Sequence, residues 1–198
     1  MTLLYLIRHA RTGWNLDERI QGWVDIPLDE VGRQQAEALA ERLSDTYFDA
    51  IYSSPLLRAR QTAEALAAGR GLELQLDERL RERNLGEWTG LTFDEARLRW
   101  PERFESDWRI PGAPGGEDHA TLIARAAAAL DAGLAAYSDG TLAVVSHGGT
   151  LSAYLAHVLG IPMERPVSFS FHNATYARLT ILGADGAVPV VRLLSLGE

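Results

Sequence analysis

The feature that most constrains the fold lies at the start of the chain, where a short apolar run ends in an arginine and a histidine. Residues 3–7 are almost continuously apolar, and such a short run predicts a strand buried within a parallel sheet. Arg8 and His9 follow at the carboxyl end of this strand, where open α/β sheets bind their ligands. On these two residues alone, an ordinary surface loop is an equally good interpretation.

Length and composition limit the possible classes of protein. The chain has 198 residues, which predicts one domain, and its 46% hydrophobic and 23% charged residues are typical of a globular protein. No apolar run approaches bilayer length, and Arg8 and His9 interrupt the first one, so we expect a cytoplasmic protein without a membrane partner. The absence of cysteine excludes disulfides, thiolate nucleophiles and zinc-thiolate sites.

The charge balance bears on the partners. A net charge of -8 argues against nucleic acid, which is bound through a basic surface. A small anionic substrate remains compatible with this charge, because a few arginines in one cleft can outweigh a diffuse acidic surface. The sequence offers no cluster of carboxylates that would hold a metal ion, so we expect neither a metal nor another cofactor.

A second apolar run is followed by a helix start that also carries an arginine. Residues 48–53 predict a buried strand, after which Ser54 is expected to cap a helix with Pro55 at its first position. Arg58 then falls in the first turn, where a cation opposes the helix dipole. A helix start with free N–H groups and a guanidinium predicts a phosphate site, although a solvated Arg58 is the alternative.

The pattern recurs near the end of the chain. Residues 141–146 predict another buried strand, which ends in His147 and Gly148 before a helix over residues 150–159. A histidine at such a strand-to-helix corner is a poor core residue. This position therefore favours a role for His147 in a binding or catalytic site. Residues 174–182 and 188–194 predict two last strands, the second of them at an edge, across a turn at Asp185 and Gly186.

Taken together, these segments resemble the histidine phosphatase superfamily, the phosphoglycerate-mutase-like enzymes, and its phosphatase branch in particular. The matching motifs occur in the family's order and span nearly the whole chain: LIRHARTGWN, QGWVDIPL, SSPLLRARQTAE, LRERNLGEWTG and SHGGT. Ala10 stands where the family usually has glycine. The resemblance implies a three-layer α/β/α sandwich with a mostly parallel central sheet.

The resemblance also implies roles for individual residues. His9 becomes the nucleophile that carries a phosphoryl group, and Glu82 becomes the proton donor, in preference to Glu78 and Glu87. The phosphoryl oxygens are expected to contact Arg8, Arg58 and His147. Further substrate contacts are expected from Asn15, Thr12, Gln21, Gly22 and Gly148.

Residues 91–116 predict a lid inserted into the single domain 1–198. Four aromatic residues recur among charges and are followed by prolines and glycines: Phe93, Trp100, Phe104 and Trp108. Each one singly is a better candidate for the core than for a substrate contact. Together they can cover a cleft with apolar surface. His119, just after this segment, is expected at the surface or in a cap rather than in catalysis, and the role of His172 is open.

These motifs predict a phosphomonoesterase of the histidine acid type that hydrolyses small phosphorylated metabolites through a phosphohistidine intermediate. Two alternatives are a cofactor-dependent phosphoglycerate mutase and a non-catalytic phosphate-binding module. The mutases of this family carry a longer insert with paired arginines for the substrate carboxylate, whereas the arginines here are scattered: Arg97, Arg99, Arg103 and Arg109. The sequence specifies neither the substrate nor the oligomeric state.

Overall fold

The computed structural model describes residues 1–162, 169–182 and 190–196. Its strands are β1 (Thr2–Arg8), β2 (Ala50–Ser53), β3 (Leu74–Leu76), β4 (Thr141–Ser146), β5 (Tyr176–Leu182) and β6 (Val190–Leu196). They form a six-stranded sheet in the order β3-β2-β4-β1-β5-β6. Strands β1 to β4 pair in parallel, whereas β5 is antiparallel to both β1 and β6.

The mostly parallel sheet predicted from the sequence is therefore confirmed, as are the two final strands and the edge position of the second. Strand β5 begins two residues later than predicted and ends at the predicted residue, and both bounds of β6 lie two residues later than predicted. The predicted turn at Asp185 and Gly186 lies outside the described residues.

Six α-helices occur within the described residues, and the four longest cover the sheet. Their bounds are α1 (Gly13–Leu16), α2 (Glu30–Arg42), α3 (Leu57–Ala67), α4 (Phe93–Arg99), α5 (His119–Ala136) and α6 (Gly148–Val158). Helices α2 and α3 pack on one face of the sheet, and α5 and α6 pack on the other. This arrangement is the predicted three-layer sandwich. None of the described helices has both the length and the apolar character that crossing a bilayer demands.

Strand β1 lies in the interior of the sheet and is covered on both faces. Leu4 and Leu6 belong to the core beneath α5 and α6, whereas Tyr5 and Ile7 belong to the core beneath α2 and α3. Burying each such side chain stabilises the fold by about 1.5 to 3 kcal/mol. Burial on both faces explains why the run is apolar at successive positions, and it fixes the place at which the strand delivers Arg8 and His9.

The sequence predicts a helix that begins near Asp29 as its N-cap, and in α2 the side chain of Asp29 accepts a hydrogen bond from the N–H of Gly32 at 2.7 Å. A four-residue recurrence that starts at Val31 predicts the buried face of this helix, and this prediction is wrong at its start, because Val31 is 39% exposed. The buried residues include Gly32, Ala36 and Leu39 instead. A Cβ atom on Gly32 would lie 1.9 Å from the carbonyl oxygen of Arg11, so this close backbone approach sets the rotation of the helix.

The predicted start of α3 was two residues early. Leu56 is the N-cap and Leu57 the first helical residue, while the Ser54 hydroxyl accepts a hydrogen bond from the Leu56 N–H at 3.3 Å. The Leu57 N–H donates to the carboxylate of Asp25. A carboxylate therefore caps this helix start. The sequence predicted free N–H groups for a phosphate here, and this prediction is wrong for the N–H of Leu57, which Asp25 already binds.

The aromatic residues of the 91–116 segment pack mainly against Trp88, which is fully buried. The rings of Phe104 and Trp88 stack with centroids 4.9 Å apart, and Trp108 lies 5.8 Å from the same ring. The segment thus has a small core of its own beside the sandwich. Of its aromatic residues, Phe93 and Trp108 also line the cavity described below. Whether it acts as a lid stays a prediction.

Candidate active site

A cavity of about 490 Å³ opens at the carboxyl ends of β1 and β4. Eight of the ten predicted site residues line it: Arg8, His9, Asn15, Gln21, Gly22, Arg58, Glu82 and Gly148. Two others, Thr12 and His147, are fully buried directly behind lining residues. We call the part around His9 and Arg58 the inner end.

His9 lies at the floor of the inner end and is only 4% exposed. Its backbone N–H donates to the carbonyl of Ser146 at 2.9 Å, which ties the end of β1 to the end of β4. Its ring Nδ1 lies 2.7 Å from the carbonyl oxygen of Ala10. Because a carbonyl oxygen only accepts, Nδ1 carries the proton and Nε2 keeps its lone pair for the cavity. This tautomer is the one that a nucleophilic histidine needs.

The surroundings of His9 favour the neutral ring. Burial, and after it the positive charges of Arg58 and Arg8, hold the pKa of His9 well below its usual value. The ring is therefore neutral, and its lone pair is available, at physiological pH. A phosphate dianion bound in the cavity would in turn be attracted by both guanidinium groups.

His147 is fully buried at the N-cap position of α6, and its ring centroid lies 5.2 Å from that of His9. Its Nε2 is 2.8 Å from the hydroxyl oxygen of Ser54. Its Nδ1 is buried without a hydrogen-bond partner among the described residues. Burial is also the main cause that lowers the pKa of His147, with Arg58 the next cause. Ser54 was predicted as a helix cap only, and its contact with His147 was missed.

Arg58 is fully buried beneath the inner end, so its charge needs an explanation. Its Nη1 and Nη2 donate to the carbonyls of Val24 and Gly22, both at 2.9 Å, which supports the loop before α2. Burial lowers the pKa of Arg58 to about 10, so the group stays protonated at neutral pH. Arg8, the residue before His9, is held by a hydrogen bond to the carbonyl of Phe171.

Thr12 and Asn15 form one capping unit at the start of α1. The Thr12 hydroxyl accepts from the Asn15 N–H at 3.2 Å and donates to the Asn15 side-chain oxygen at 3.0 Å. Since that oxygen is engaged by Thr12, the amide nitrogen of Asn15 is the side-chain group left to donate into the cavity. Thr12 was predicted as a substrate contact, and the structure places it behind Asn15.

Glu82 lies at the N-terminus of α6 and lines the cavity. Its Oε1 accepts a hydrogen bond from the Thr150 N–H and its Oε2 accepts one from the Gly149 N–H, both at 3.1 Å. A Cβ atom on Gly149 would lie 2.6 Å from Oε1, so only glycine allows the carboxylate this position. Neither Glu78 nor Glu87 lines the cavity.

The opposite part of the cavity, which we call the outer end, was not predicted as a site. It is lined by Phe93 and Trp108 of the 91–116 segment and by three polar residues, Arg83, Arg109 and His119. Arg83 is 4% exposed and its guanidinium lies 5.9 Å from the ring centroid of Trp108. Arg109 pairs with Asp107. The sequence showed no pair of arginines because Arg83 belongs to the Glu82 loop and Arg109 to the distant segment.

Charge in the cavity contrasts with charge on the whole chain. Its lining includes five arginines, Arg8, Arg19, Arg58, Arg83 and Arg109, against two glutamates, Glu18 and Glu82. The chain as a whole has a net charge of -8. Among the described residues, no group of three or more His, Cys, Asp or Glu side chains is placed to hold a metal ion. The cavity is therefore suited to an organic anion bound by guanidinium groups.

Comparison with known proteins places these features in context. The family model described as the histidine phosphatase superfamily (branch 1) matches residues 4–194. Phosphoserine phosphatase 1 of Hydrogenobacter thermophilus is 35% identical over 180 residues, covering 89% of this chain and 85% of that protein. Phosphoglycerate mutase-like protein 4 of Arabidopsis thaliana is 40% identical over 156 residues, covering 75% of this chain and 67% of that protein.

The solved structures give the same result for the fold. The mycobacterial glucosyl-3-phosphoglycerate phosphatase, solved as a complex with VO3, superposes with a TM-score of 0.86 at 34% sequence identity. The match covers 98% of each chain. Both the sheet and the surrounding helices are therefore shared with that phosphatase.

Proposed function

The chain belongs to the histidine phosphatase superfamily, and we propose that it is a phosphomonoesterase of the histidine acid type that acts through a phosphohistidine at His9. The observation that carries the proposal is the hydrogen bond between His9 Nδ1 and the Ala10 carbonyl. It leaves Nε2 as the nucleophilic nitrogen on a ring flanked by Arg8 and Arg58. We place the reaction in the cytoplasm.

In the first step, Nε2 of His9 forms a bond to phosphorus while the bond from phosphorus to the ester oxygen breaks. Arg8 and Arg58 neutralise the charge on the transferring oxygens, and the ring of His147 donates a hydrogen bond to them. The protonated carboxyl of Glu82 gives its proton to the departing oxygen, so the leaving group departs as an alcohol. The phosphorylated ring is a cation, which the Ala10 carbonyl stabilises through Nδ1–H.

In the second step, water attacks the phosphorus of the phosphohistidine. Glu82, now ionised, takes a proton from that water, and the electron pair of the broken bond returns to Nε2 of His9. Inorganic phosphate leaves, and the enzyme returns to its starting state. Asn15, Gln21 and the backbone around Gly22 and Gly148 orient the phosphoryl group during both steps.

The outer end supports a substrate whose alcohol carries a carboxylate. Phosphoserine phosphatase and glucosyl-3-phosphoglycerate phosphatase are named for phosphoesters of such alcohols. Here the guanidinium groups of Arg83 and Arg109 line the wall that the leaving alcohol would face, beside the apolar surface of Trp108. An ion pair with the substrate at this wall would add affinity without taking part in the chemistry.

Hydrolysis is favoured over the mutase reaction because phosphoserine phosphatase 1 and the glucosyl-3-phosphoglycerate phosphatase, which match this chain over 89% and 98% of its length, are both named as phosphatases. The relative named as mutase-like keeps this alternative open to experiment. The non-catalytic alternative is disfavoured because the nucleophile, the cations and the acid all meet in one cavity.

The test measures phosphate release from a panel of phosphomonoesters, with phosphoserine, 3-phosphoglycerate and ethyl phosphate as its core members. Interconversion of 2- and 3-phosphoglycerate is measured on the same preparation with bisphosphoglycerate supplied. We expect phosphate release to exceed interconversion by a wide margin and to persist after exhaustive chelation. Efficient interconversion with negligible phosphate release would make the protein a mutase, and dependence on an added divalent ion would overturn the mechanism.

A further inference from the structure

Outside the cavity, the side chain of Arg125 is fully engaged with the loop that carries Glu82. Its Nη1 donates to the carbonyls of Arg79 and Arg81 at 2.7 and 2.6 Å, and its Nη2 donates to the carbonyl of Glu82 itself at 2.8 Å. The remaining two N–H groups bond the carboxylate of Glu117, from Nε at 2.6 Å and from Nη2 at 2.8 Å. All five N–H groups of the guanidinium are thereby used.

Glu117 completes the contact from the other end of the same loop. Its carboxylate accepts a hydrogen bond from the Asn84 N–H at 3.3 Å, and its backbone N–H donates to the Asn84 carbonyl at 2.8 Å. The side chains of Arg125 and Glu117 are 15% and 9% exposed, so water competes weakly for these bonds. The pair therefore holds the main chain before and after Glu82 through hydrogen bonds.

The loop needs such support because its own backbone belongs to no helix or strand. Residues 81–85 lie between two short 3-10 helices, Glu78–Leu80 and Gly86–Trp88, and outside the sheet. The planar fork of an arginine can satisfy several inward-facing carbonyls at once, whereas the single ammonium of a lysine cannot. Without the fork, the backbone of Glu82 would lose one of its restraints, while the bond from Trp23 Nε1 to its carbonyl and the bonds of its carboxylate to α6 would remain.

We propose that Arg125 and Glu117 are positioning residues for the proton donor, holding the Glu82 carboxyl at the oxygen of the leaving alcohol. The inference rests on the proposed function, since it assumes that Glu82 protonates the departing oxygen. Arg125 and Glu117 themselves touch neither the substrate nor His9. Their effect on the rate should therefore resemble a weaker form of the loss of Glu82, because a small displacement of a catalytic group costs up to about a hundredfold.

The experiment compares Arg125→Lys with Arg79→Lys, a matched control. Arg79 belongs to the same stretch and also reaches α5, but it forms an exposed pair with Asp77. We measure kcat/KM for ethyl phosphate, whose leaving group needs a proton, and for p-nitrophenyl phosphate, whose leaving group does not. Arg125→Lys should slow ethyl phosphate about tenfold to a hundredfold and p-nitrophenyl phosphate less than about threefold. Arg79→Lys should change both rates less than about twofold.

The double variant with Glu82→Gln gives the decisive comparison. If Arg125 acts through Glu82, Arg125→Lys should have little further effect on ethyl phosphate once Glu82→Gln is present. A full additional loss in the double variant, or equal losses for the two substrates in Arg125→Lys, would overturn the proposal. Glu117→Gln is measured in parallel, so that a folding failure of Arg125→Lys leaves the test intact.

These outcomes are separate from failure of the proposed function. In that case, wild-type protein would release no phosphate from either ester, or His9 would carry no phosphoryl group during turnover. The positioning role alone would be contradicted if the wild type turned over both esters through His9 but Arg125→Lys slowed ethyl phosphate and p-nitrophenyl phosphate equally.

Discussion

The inner and outer ends of the cavity are built by different parts of the fold. At the inner end, β1 and β4 deliver His9 and His147 side by side, and the two strands are joined in register from Leu3 and Thr141 onward. At the outer end, Trp108 and Arg109 come from a segment that packs on Trp88. The first end is fixed by a buried sheet and the second by a small satellite core.

This difference indicates how the two ends divide the work. Reacting atoms need positions defined to a fraction of an ångström, which buried strand ends supply. Contacts to the leaving alcohol tolerate variation, and loop segments can change without disturbing the sheet. We therefore expect substitutions at the inner end to abolish turnover, and substitutions at the outer end to change the choice of substrate.

The largest effect should come from His9, the residue that defines the inner end. His9→Ala removes the proposed nucleophile, so kcat should fall by at least about a thousandfold for every phosphomonoester. His157→Ala is the matched control, because His157 is an exposed histidine on α6. In the wild type, labelled phosphate should be retained on protein quenched in base and lost on protein quenched in acid, since phosphohistidine is acid-labile. Near-normal turnover by His9→Ala would remove the basis for the mechanism.

The next effect should come from Glu82, which lies between the two ends. Glu82→Gln keeps the size of the side chain but cannot donate the acid proton, so ethyl phosphate should slow by about a hundredfold to ten-thousandfold. The rate with p-nitrophenyl phosphate should fall much less. Glu87→Gln, at an exposed position nearby on the chain, serves as the control. Equal losses on both substrates would assign Glu82 a binding role only.

The two ends also differ in how far the sequence could predict them. His9, Arg58 and His147 each follow or begin an element with a clear local pattern, so their convergence follows from the rule that parallel strands end at one edge. The tautomer of His9 and the contact between Ser54 and His147 could not be predicted from the sequence. Both depend on where side chains that are distant in the sequence point in the folded protein. Arg58 lines the inner end even though the start of α3 was placed two residues early, and its contact with phosphate stays a prediction.

The outer end could not be predicted for a physical reason. Arg83 and Arg109 are 26 positions apart by their numbers in the sequence, and no periodicity joins them. They lie close together because the 91–116 segment packs on Trp88, which brings Trp108 against Arg83 of the Glu82 loop. Likewise, Arg125 holds that loop by donating hydrogen bonds to backbone carbonyls. Every residue has such a carbonyl, so these contacts leave no pattern in the amino-acid sequence.

A smaller and more selective effect is expected at the outer end. Arg109→Gln should raise the KM for phosphoserine by about tenfold, the usual scale for losing a charged hydrogen bond, while kinetics with ethyl phosphate stay within about twofold. Arg99→Gln is the matched control, because Arg99 is exposed on α4 and does not line the cavity. If Arg109→Gln slowed both substrates alike, the division between the two ends would not hold at this residue.

The smallest effect should be on stability, and it compares one histidine from each end. Burial is the main cause that lowers the pKa of both His9 and His119, and His9 is the more deeply buried of the two. Below pH 6.5, the ordinary histidine pKa, the unfolded chain takes up a proton that the folded ring refuses, so stability is lost as the pH falls. A ring that stays neutral accounts for a loss of up to about 1.4 kcal/mol between pH 7.5 and 5.5.

Thermal unfolding of the wild type, His9→Gln and His119→Gln at these two pH values measures the difference. His9→Gln removes the proton uptake at the inner end, so its melting temperature should fall between pH 7.5 and 5.5 by about 3 to 6 °C less than that of the wild type. His119→Gln should reduce the fall by a smaller amount, because its ring is only half-buried and the outer end is open to water. A fall in His9→Gln as large as in the wild type would show that His9 is protonated in the folded protein near pH 6. The nucleophile of the inner end would then lack the neutral ring that its attack on phosphorus requires.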